Sequence, residues 1–312
     1  MRTLISNPTI VNNGEQFRGS IVVNNGKIVE ILRGDELPRA ECDEIVEATG
    51  LYLIPGVIDD HVHFREPGLT HKADMNSESQ AAIAGGVTTF FDMPNTSPAT
   101  ISAERLKDKI TLGNERAVGK IGFHIGATNL NYSEIHTLVR DGDPATGLMP
   151  KDIAGVKVFM GSSTGNMLVD EGNSLEDLFS IREKPVLVHC EDEATIKANL
   201  AAAIEKYGQE IPFTEHENIR SRKACIKSSI KALEKAIKYG TRLVLCHIST
   251  KEEVEMVRAA KMNNPEIIAE TSCNYLWFSN EDYARLGSRV KCNPSVKTAC
   301  DRQALREALA SG

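Results

Sequence analysis

The chain has 312 residues, of which 41% are hydrophobic and 25% charged, a composition that fits an ordinary globular protein and excludes a disordered or fibrous one. A net charge of −7 argues against nucleic acid or an anionic membrane as a standing partner. Seven cysteines, an odd number with no CxxC pair, fit a reducing compartment, and no apolar run is long enough to span a bilayer, so a cytoplasmic location is expected.

Residues 1–50 hold short β-type runs, "TIVNNGE", "SIVVNNGKIVEI" and "EIVEATG", in which Asn-Asn-Gly occurs twice as a turn signal. They form a small β unit. From residue 51 the pattern changes to apolar strands separated by amphipathic helices. The strand candidates are "GVIDDHVHF" (56–64), "GVTTFFDMPN" (86–95), "KIGFHIGAT" (120–128), "GVKVFM" (155–160), "PVLVHCED" (185–192), "TRLVLCHIST" (241–250) and "EIIAETSCNYLW" (266–277). Helical stretches between them include "SAERLKDKITLG", "SLEDLFSIRE" and "RKACIKSSIKALEKAIKYG", the last ending on the glycine expected just past a helix C-terminus. Strict alternation of strand and helix means parallel pairing under a helical cover. The fold class expected is therefore α/β, a TIM-type (β/α)8 barrel spanning 51–312 and one strand short. The helix read in "ACDRQALREALASG" runs to the last residue, so the chain is expected to be the N-terminal portion of a longer protein.

In such a barrel the chemistry sits at the C-terminal ends of the strands. His61 and His63 alternate with Val62 and Phe64, so a strand would send both imidazoles to one face. His189 and His247 end two further strands and Lys157 lies in another. A single strand-end histidine is more often a hydrogen-bonded structural residue than a ligand. Four facing one mouth make a metal site the better reading, with zinc the metal such a set suits. Lys157, alone, would read as an inward lysine paired with a carboxylate. Desolvation between Val156, Val158 and Phe159 favours a neutral amine, which can add carbon dioxide to give a carbamate able to bridge two metals. His71, His124 and His136 fit no such pattern and are read as structural or surface residues.

"HVHFREPG", "GGVTTFFDMPNT", "GVKVFM", "VHCED", "HENIRSRKAC", "CHIST" and "CNPSVK", in that order along the chain, resemble the dihydroorotases of the amidohydrolase superfamily. The resemblance implies two Zn2+ per subunit, one on His61 and His63, the other on His189 and His247, bridged by carboxylated Lys157 and a hydroxide. Arg65 and Asn95 match residues that hold the substrate carboxylate, and Asn293 matches one that lines the substrate pocket. The reaction implied is reversible hydrolysis of the cyclic amide of dihydroorotate to N-carbamoyl-aspartate in pyrimidine biosynthesis. The N-terminal β unit would be part of a flanking β-sandwich. A homodimer, and association with aspartate carbamoyltransferase, belong to the same implication.

On the residues alone, Arg65 would equally be a surface arginine paired with Glu66, and Asn95 a turn cap in "PNTSP". If the first strand continues that far, Arg65 shares the face of His63. One departure stands out: the aspartate that such enzymes carry at the end of strand eight, with a substrate-contacting histidine after it, has no counterpart here. Rival readings are a sister cyclic amidohydrolase, such as an allantoinase or a dihydropyrimidinase (hydantoinase), and a non-catalytic homologue acting as a structural partner. The first would leave Arg65 without a carboxylate to bind, and the second would need no metal.

Overall fold

The structure, a computed structural model, describes residues 1–161 and 167–312. Two compact units are present, Met1–Ile58 with Gly86–Thr88, and Asp59–Gly85 with Thr89–Gly312.

The smaller unit is a sheet of β1 (Arg2–Ser6), β2 (Thr9–Asn12), β3 (Glu15–Asn24), β4 (Lys27–Arg33), β5 (Glu44–Glu47) and β6 (Tyr52–Leu53). Its strand order is β5-β1-β3-β2-β6, with β4 added on β3. Both Asn-Gly signals become tight hairpin turns, Asn13 and Gly14 at φ 50° and 76°, Asn25 and Gly26 at φ 48° and 74°. Two successive residues with positive φ match the right-handed twist of the flanking strands, and asparagine and glycine adopt them at least cost. β3 serves two sets of partners: its first residues pair with β2 and its last with β1 and β4. The changeover falls at Gly19, where a Cβ atom would lie 2.1 Å from the Leu32 carbonyl oxygen.

The remaining strands are β7 (Val57–Val62) and β8 (Val87–Asp92), whose first two residues each are counted with the smaller unit, and, in the larger unit, β9 (Lys120–Phe123), β10 (Ile125–Gly126), β11 (Val156–Phe159), β12 (Val186–His189), β13 (Leu243–Leu245) and β14 (Ile268–Ala269). Their orders are β7-β8-β9 and β10-β11-β12-β13-β14. Pairing is parallel between β8 and β9 and from β10 through β14, as alternation with helices requires. The third strand candidate is thus split at His124. The backbone nevertheless passes the ladder on: the His124 amide donates to the Asp92 carbonyl and the next amide, of Ile125, to the Gly155 carbonyl. At the split His124 is buried and its Nε2 donates to the Asp60 carbonyl at 3.0 Å.

The seventh strand candidate, 266–277, is mostly not a strand. β14 ends at Ala269, and Cys273–Trp277 is a helix. Ser272 lies in extended backbone and its carbonyl accepts the Tyr275 and Leu276 amides, while the buried Tyr275 hydroxyl donates to the Pro294 carbonyl at 2.6 Å. A tertiary anchor for the tyrosine outweighs the β propensity of the run. The helix Arg222–Tyr239 ends on Gly240 at φ 64°, whose amide donates to the Ala236 carbonyl, the left-handed stop anticipated from the sequence. No helix among the described residues is long and apolar enough to cross a membrane.

Inside the barrel, Met93, Leu187, Val244 and Cys246 pack together as an apolar plug. Register places Lys157 opposite Leu187, Leu187 opposite Val244, and Phe159 opposite His189. Lys157 therefore lies level with the plug, and His189 one layer further towards the strand C-termini.

Beside the first strand Asp92 and Lys109 form a buried ion pair at 2.7 Å, with the Asp92 carboxylate also accepting the Phe64 amide at 2.8 Å. Lys109→Met would leave that carboxylate without a counter-charge, and removing one partner of a buried pair costs about 3–5 kcal/mol. Urea unfolding of this variant is expected to show a loss of that order, against a smaller loss for the double variant Lys109→Met with Asp92→Leu.

Candidate active site

Three of the four strand-end imidazoles come from chain positions at or just beyond a strand end: His63 follows β7, His189 closes β12 and His247 lies two residues past β13, while His61 is within β7. They form one connected cluster. Ring centroids lie 5.2 Å apart for His61 and His63, 5.3 Å for His61 and His247, and 4.9 Å for His189 and His247. Lys157 is fully buried, and its Nζ donates to Cys246 Sγ at 2.8 Å, next to His247 in the chain. Among the described residues no carboxylate lies within ion-pair distance of that amine, so the paired-lysine reading of Lys157 has no support in the contacts.

Burial pushes the imidazoles of His61, His63 and His247 well below the usual histidine value, with nearby charges adding to the effect. Neutral imidazoles carry one free lone pair each, the form in which histidine binds a metal. His189 Nδ1 and His247 Nε2 face each other at 3.2 Å. Two nitrogens each about 2.0–2.1 Å from a tetrahedral ion are separated by about 3.3 Å, so this pair fits a shared ion. Glu270 Oε2, buried in the same place and without a partner among the described residues, is a further group that an ion could satisfy.

Sequence reasoning missed the groups behind the histidines. Glu270, just past β14, meets His61 Nδ1 across 209 residues of chain. Its carboxyl is raised above the usual range, by burial first. His61, Cys246 and Glu270 bring three potential ligand atoms within 4.8 Å of one another. A carboxylate thus stands at the mouth although no acidic strand end was anticipated there. Glu191, fully buried, accepts from His189 Nε2 at 2.9 Å and from the Arg220 guanidinium. Burial alone would raise the Glu191 carboxyl, but His189, Arg220 and Lys297 together hold it below the usual range. Glu191 stands two residues after His189, a spacing that was legible; the distant partners Arg220 and Glu270 gave no local signal.

The proposed substrate contacts divide. β7 ends at Val62, so strand alternation does not set the direction of Arg65, which has φ 64°, a left-handed conformation uncommon for a residue with a side chain. Glu66 does not pair with it: that carboxylate is buried, accepts the Met75 amide at 3.0 Å and lies 3.3 Å from Arg116. The half-buried Arg65 guanidinium has no ion pair among the described residues, and burial lowers it from its usual value with Asp92 as a partial offset. Asn95 is buried, and its Oδ1 has no partner among the described residues, so that oxygen caps no turn there. Asn293 is exposed, and no contact among the described residues joins it to the histidines. His71 is exposed, and His136 stacks on Tyr132 with ring centroids 5.5 Å apart.

The strand ends of a parallel sheet thus gather imidazoles, a buried lysine and carboxylates, a donor set able to hold metal ions. The chain belongs to the Amidohydrolase family, whose pattern residues 52–267 match. Along 99% of its length it is 32% identical to a dihydroorotase of Methanosarcina acetivorans, and along 94% it is 29% identical to an allantoinase of Desulfitobacterium hafniense. It spans 64% and 63% of those relatives. In fold it is similar to the L-hydantoinase (dihydropyrimidinase) from Arthrobacter aurescens, with a TM-score of 0.90 and 24% identity over 99% of this chain and 67% of that one.

His124 gives a pH prediction. Burial lowers its imidazole to about 3, against an ordinary value of 6.5. Below pH 6.5 the unfolded chain takes up a proton that the folded one refuses until about pH 3, so this residue withdraws stability as pH falls through that window and has no effect above it. His124→Gln, which keeps a donor for the Asp60 carbonyl, is expected to flatten the fall in urea midpoint between pH 6.5 and 4. An unchanged slope would count against a neutral buried His124.

Proposed function

We propose that the protein is a metal-dependent cyclic amidohydrolase acting on dihydroorotate, opening the ring to N-carbamoyl-aspartate. The observation that carries this reading is Arg65: a half-buried guanidinium two residues from His63, free of any ion pair among the described residues, with the usual surface partner Glu66 taken by Arg116. An unpaired, partly desolvated arginine beside a reaction centre suits an anionic substrate, because its planar fork matches a carboxylate. Allantoin and hydantoin rings lack that carboxylate. Asn95, with its partnerless buried carbonyl oxygen, would accept a ring N–H.

His61, His63, His189 and His247 would hold the metals, with Lys157 bridging them as a carbamate. Bound there, two divalent ions would make a water acidic enough to supply hydroxide near neutral pH and would polarise the ring carbonyl. Glu270 and Glu191 fix the imidazole rings from behind. The apolar cluster of Met93, Leu187, Val244 and Cys246, level with Lys157, would shield that residue from bulk water.

Arg65→Met is expected to lower kcat/KM for dihydroorotate about 100-fold, the size of one lost charge-assisted pair, while leaving metal content unchanged. Turnover of allantoin or hydantoin by the wild-type protein, with none of dihydroorotate, would refute the substrate assignment. Lys157→Ala should abolish turnover, with partial recovery on adding a short carboxylic acid; activity retained without any additive would remove the carbamate from the scheme.

A further inference from the structure

The segment "CNPSVK" enters the reading above only through Asn293, yet its buried members are Ser295 and Lys297. Lys297 Nζ donates to Ser295 Oγ at 2.7 Å and to the Ser295 carbonyl at 2.9 Å. Ser295 Oγ donates in turn to the Arg220 carbonyl at 2.8 Å. The Arg220 guanidinium meets Glu191 Oε2, and the same oxygen accepts from His189 Nε2 at 2.9 Å. The last link faces the candidate metal position, His189 Nδ1 opposite His247 Nε2 at 3.2 Å. Five residues, 108 positions apart at the extremes (297 less 189), are thus linked, by hydrogen bonds from Lys297 to the Arg220 backbone and from the Arg220 guanidinium through Glu191 to His189.

We infer that Lys297, Ser295, Arg220 and Glu191 form a positioning relay that fixes the tautomer and ring angle of His189, so that this residue presents Nδ1 to a metal ion. An ionised carboxylate only accepts, so the imidazole proton must reside on Nε2 and the lone pair on Nδ1. A single carboxylate could rotate away with the ring. Arg220 holds it on the far side, and Ser295 ties the Arg220 backbone so that the guanidinium does not retreat. Lys297 orients the Ser295 hydroxyl: an ammonium can only donate, so the serine oxygen must accept from it and direct its own proton to the Arg220 carbonyl. None of the four touches substrate or the reacting atoms; they act through His189. The neighbouring His61 is held differently, by Nδ1 against Glu270, which leaves Nε2 for coordination. The two imidazoles are thereby assigned opposite ligand atoms. This rests on the metal-dependent reading proposed above.

The test uses the whole protein, loaded with Zn2+ or Co2+, and measures affinity for each ion by competition with a chromophoric chelator, together with the visible spectrum of bound Co2+ and the thermal midpoint of the metal-free protein. Removing the carboxylate behind a ligating histidine typically costs 10–100-fold in metal affinity. Glu191→Ala is expected to weaken one of the two ions by about that factor, to alter the Co2+ absorption band, and to leave the other ion in place. Arg220→Lys, which keeps the charge but loses the directed N–H, is expected to weaken the same ion by a smaller factor with the thermal midpoint nearly unchanged, and Ser295→Ala should behave like it; these variants carry the test if Glu191→Ala does not fold. Wild-type affinity for both ions in all variants would overturn the relay, as would loss of both ions in parallel with loss of thermal stability, the mark of a general packing role. A wild-type protein that takes up neither ion would overturn the metal reading itself, and the relay with it.

Discussion

Desolvation of the imidazoles is the constraint on which the rest of the site depends. Four histidines and a lysine share a space from which water is largely excluded, and none of them can lose its hydration without a replacement. Burial, acting first, keeps three of the imidazoles neutral. Neutrality is what a metal ligand needs, but it leaves each ring with one N–H and one lone pair, and both must be answered. Glu270 answers for His61 and Glu191 for His189. At His247 Nδ1 and Glu270 Oε2 no partner is found among the described residues, and these polar atoms stay buried. With Nδ1 of His61 and Nε2 of His189 answered, His189 Nδ1 and His247 Nε2 are left facing each other at 3.2 Å, an arrangement suited to a guest.

Backbone strain is concentrated in the same place. Arg65 and His247 take positive φ, at 64° and 39°, and a residue with a side chain held in this region costs on the order of 1–2 kcal/mol. The Arg65 turn tolerates it because its neighbour is pinned: the Phe64 amide is bonded to Asp92, which Lys109 neutralises. His247 sits between Cys246, which receives the Lys157 amine, and Ile248, whose amide donates to the Glu270 carbonyl. Both unusual conformations redirect a side chain that a continuing strand would have aimed elsewhere, and in both cases an adjacent hydrogen bond fixes the result.

Much of this was legible in the sequence where the signal is local. The Asn-Gly hairpins, the alternation of strand and helix, the glycine stop after Tyr239 and the strand-end positions of His189 and His247 all depend on contacts within a few residues or on a repeated period. What could not be read depends on pairing across the chain. His61 finds Glu270 over 209 residues, and no pattern in either segment announces the other. The split of the third strand at His124 and the early end of the seventh at Ala269 go with side chains that reach carbonyls outside their own segment, His124 to Asp60 and Tyr275 to Pro294, contacts that local propensity does not foresee. Arg65 was placed in the site by motif, but its direction follows from a left-handed backbone angle that alternation does not foresee.

Specificity within this family has to reside outside the ligand shell. A dihydroorotase at 32% identity and an allantoinase at 29% are too near each other in similarity to separate on that measure. Imidazoles and a buried lysine recognise a metal, and a metal polarises the amide carbonyl of any of these rings equally. Discrimination then falls to a group that touches the part of the substrate that differs, and rejection is strongest where the wrong substrate leaves a buried polar group unpaired. A guanidinium already paired with a protein carboxylate would be indifferent to what enters. Arg65 has no such pair among the described residues, and the carboxylate beside it in the sequence is committed to Arg116 and to the Met75 amide. On the reading proposed above, a neutral ring beside Arg65 would leave a stranded cation, whereas a ring bearing a carboxylate would supply the missing partner.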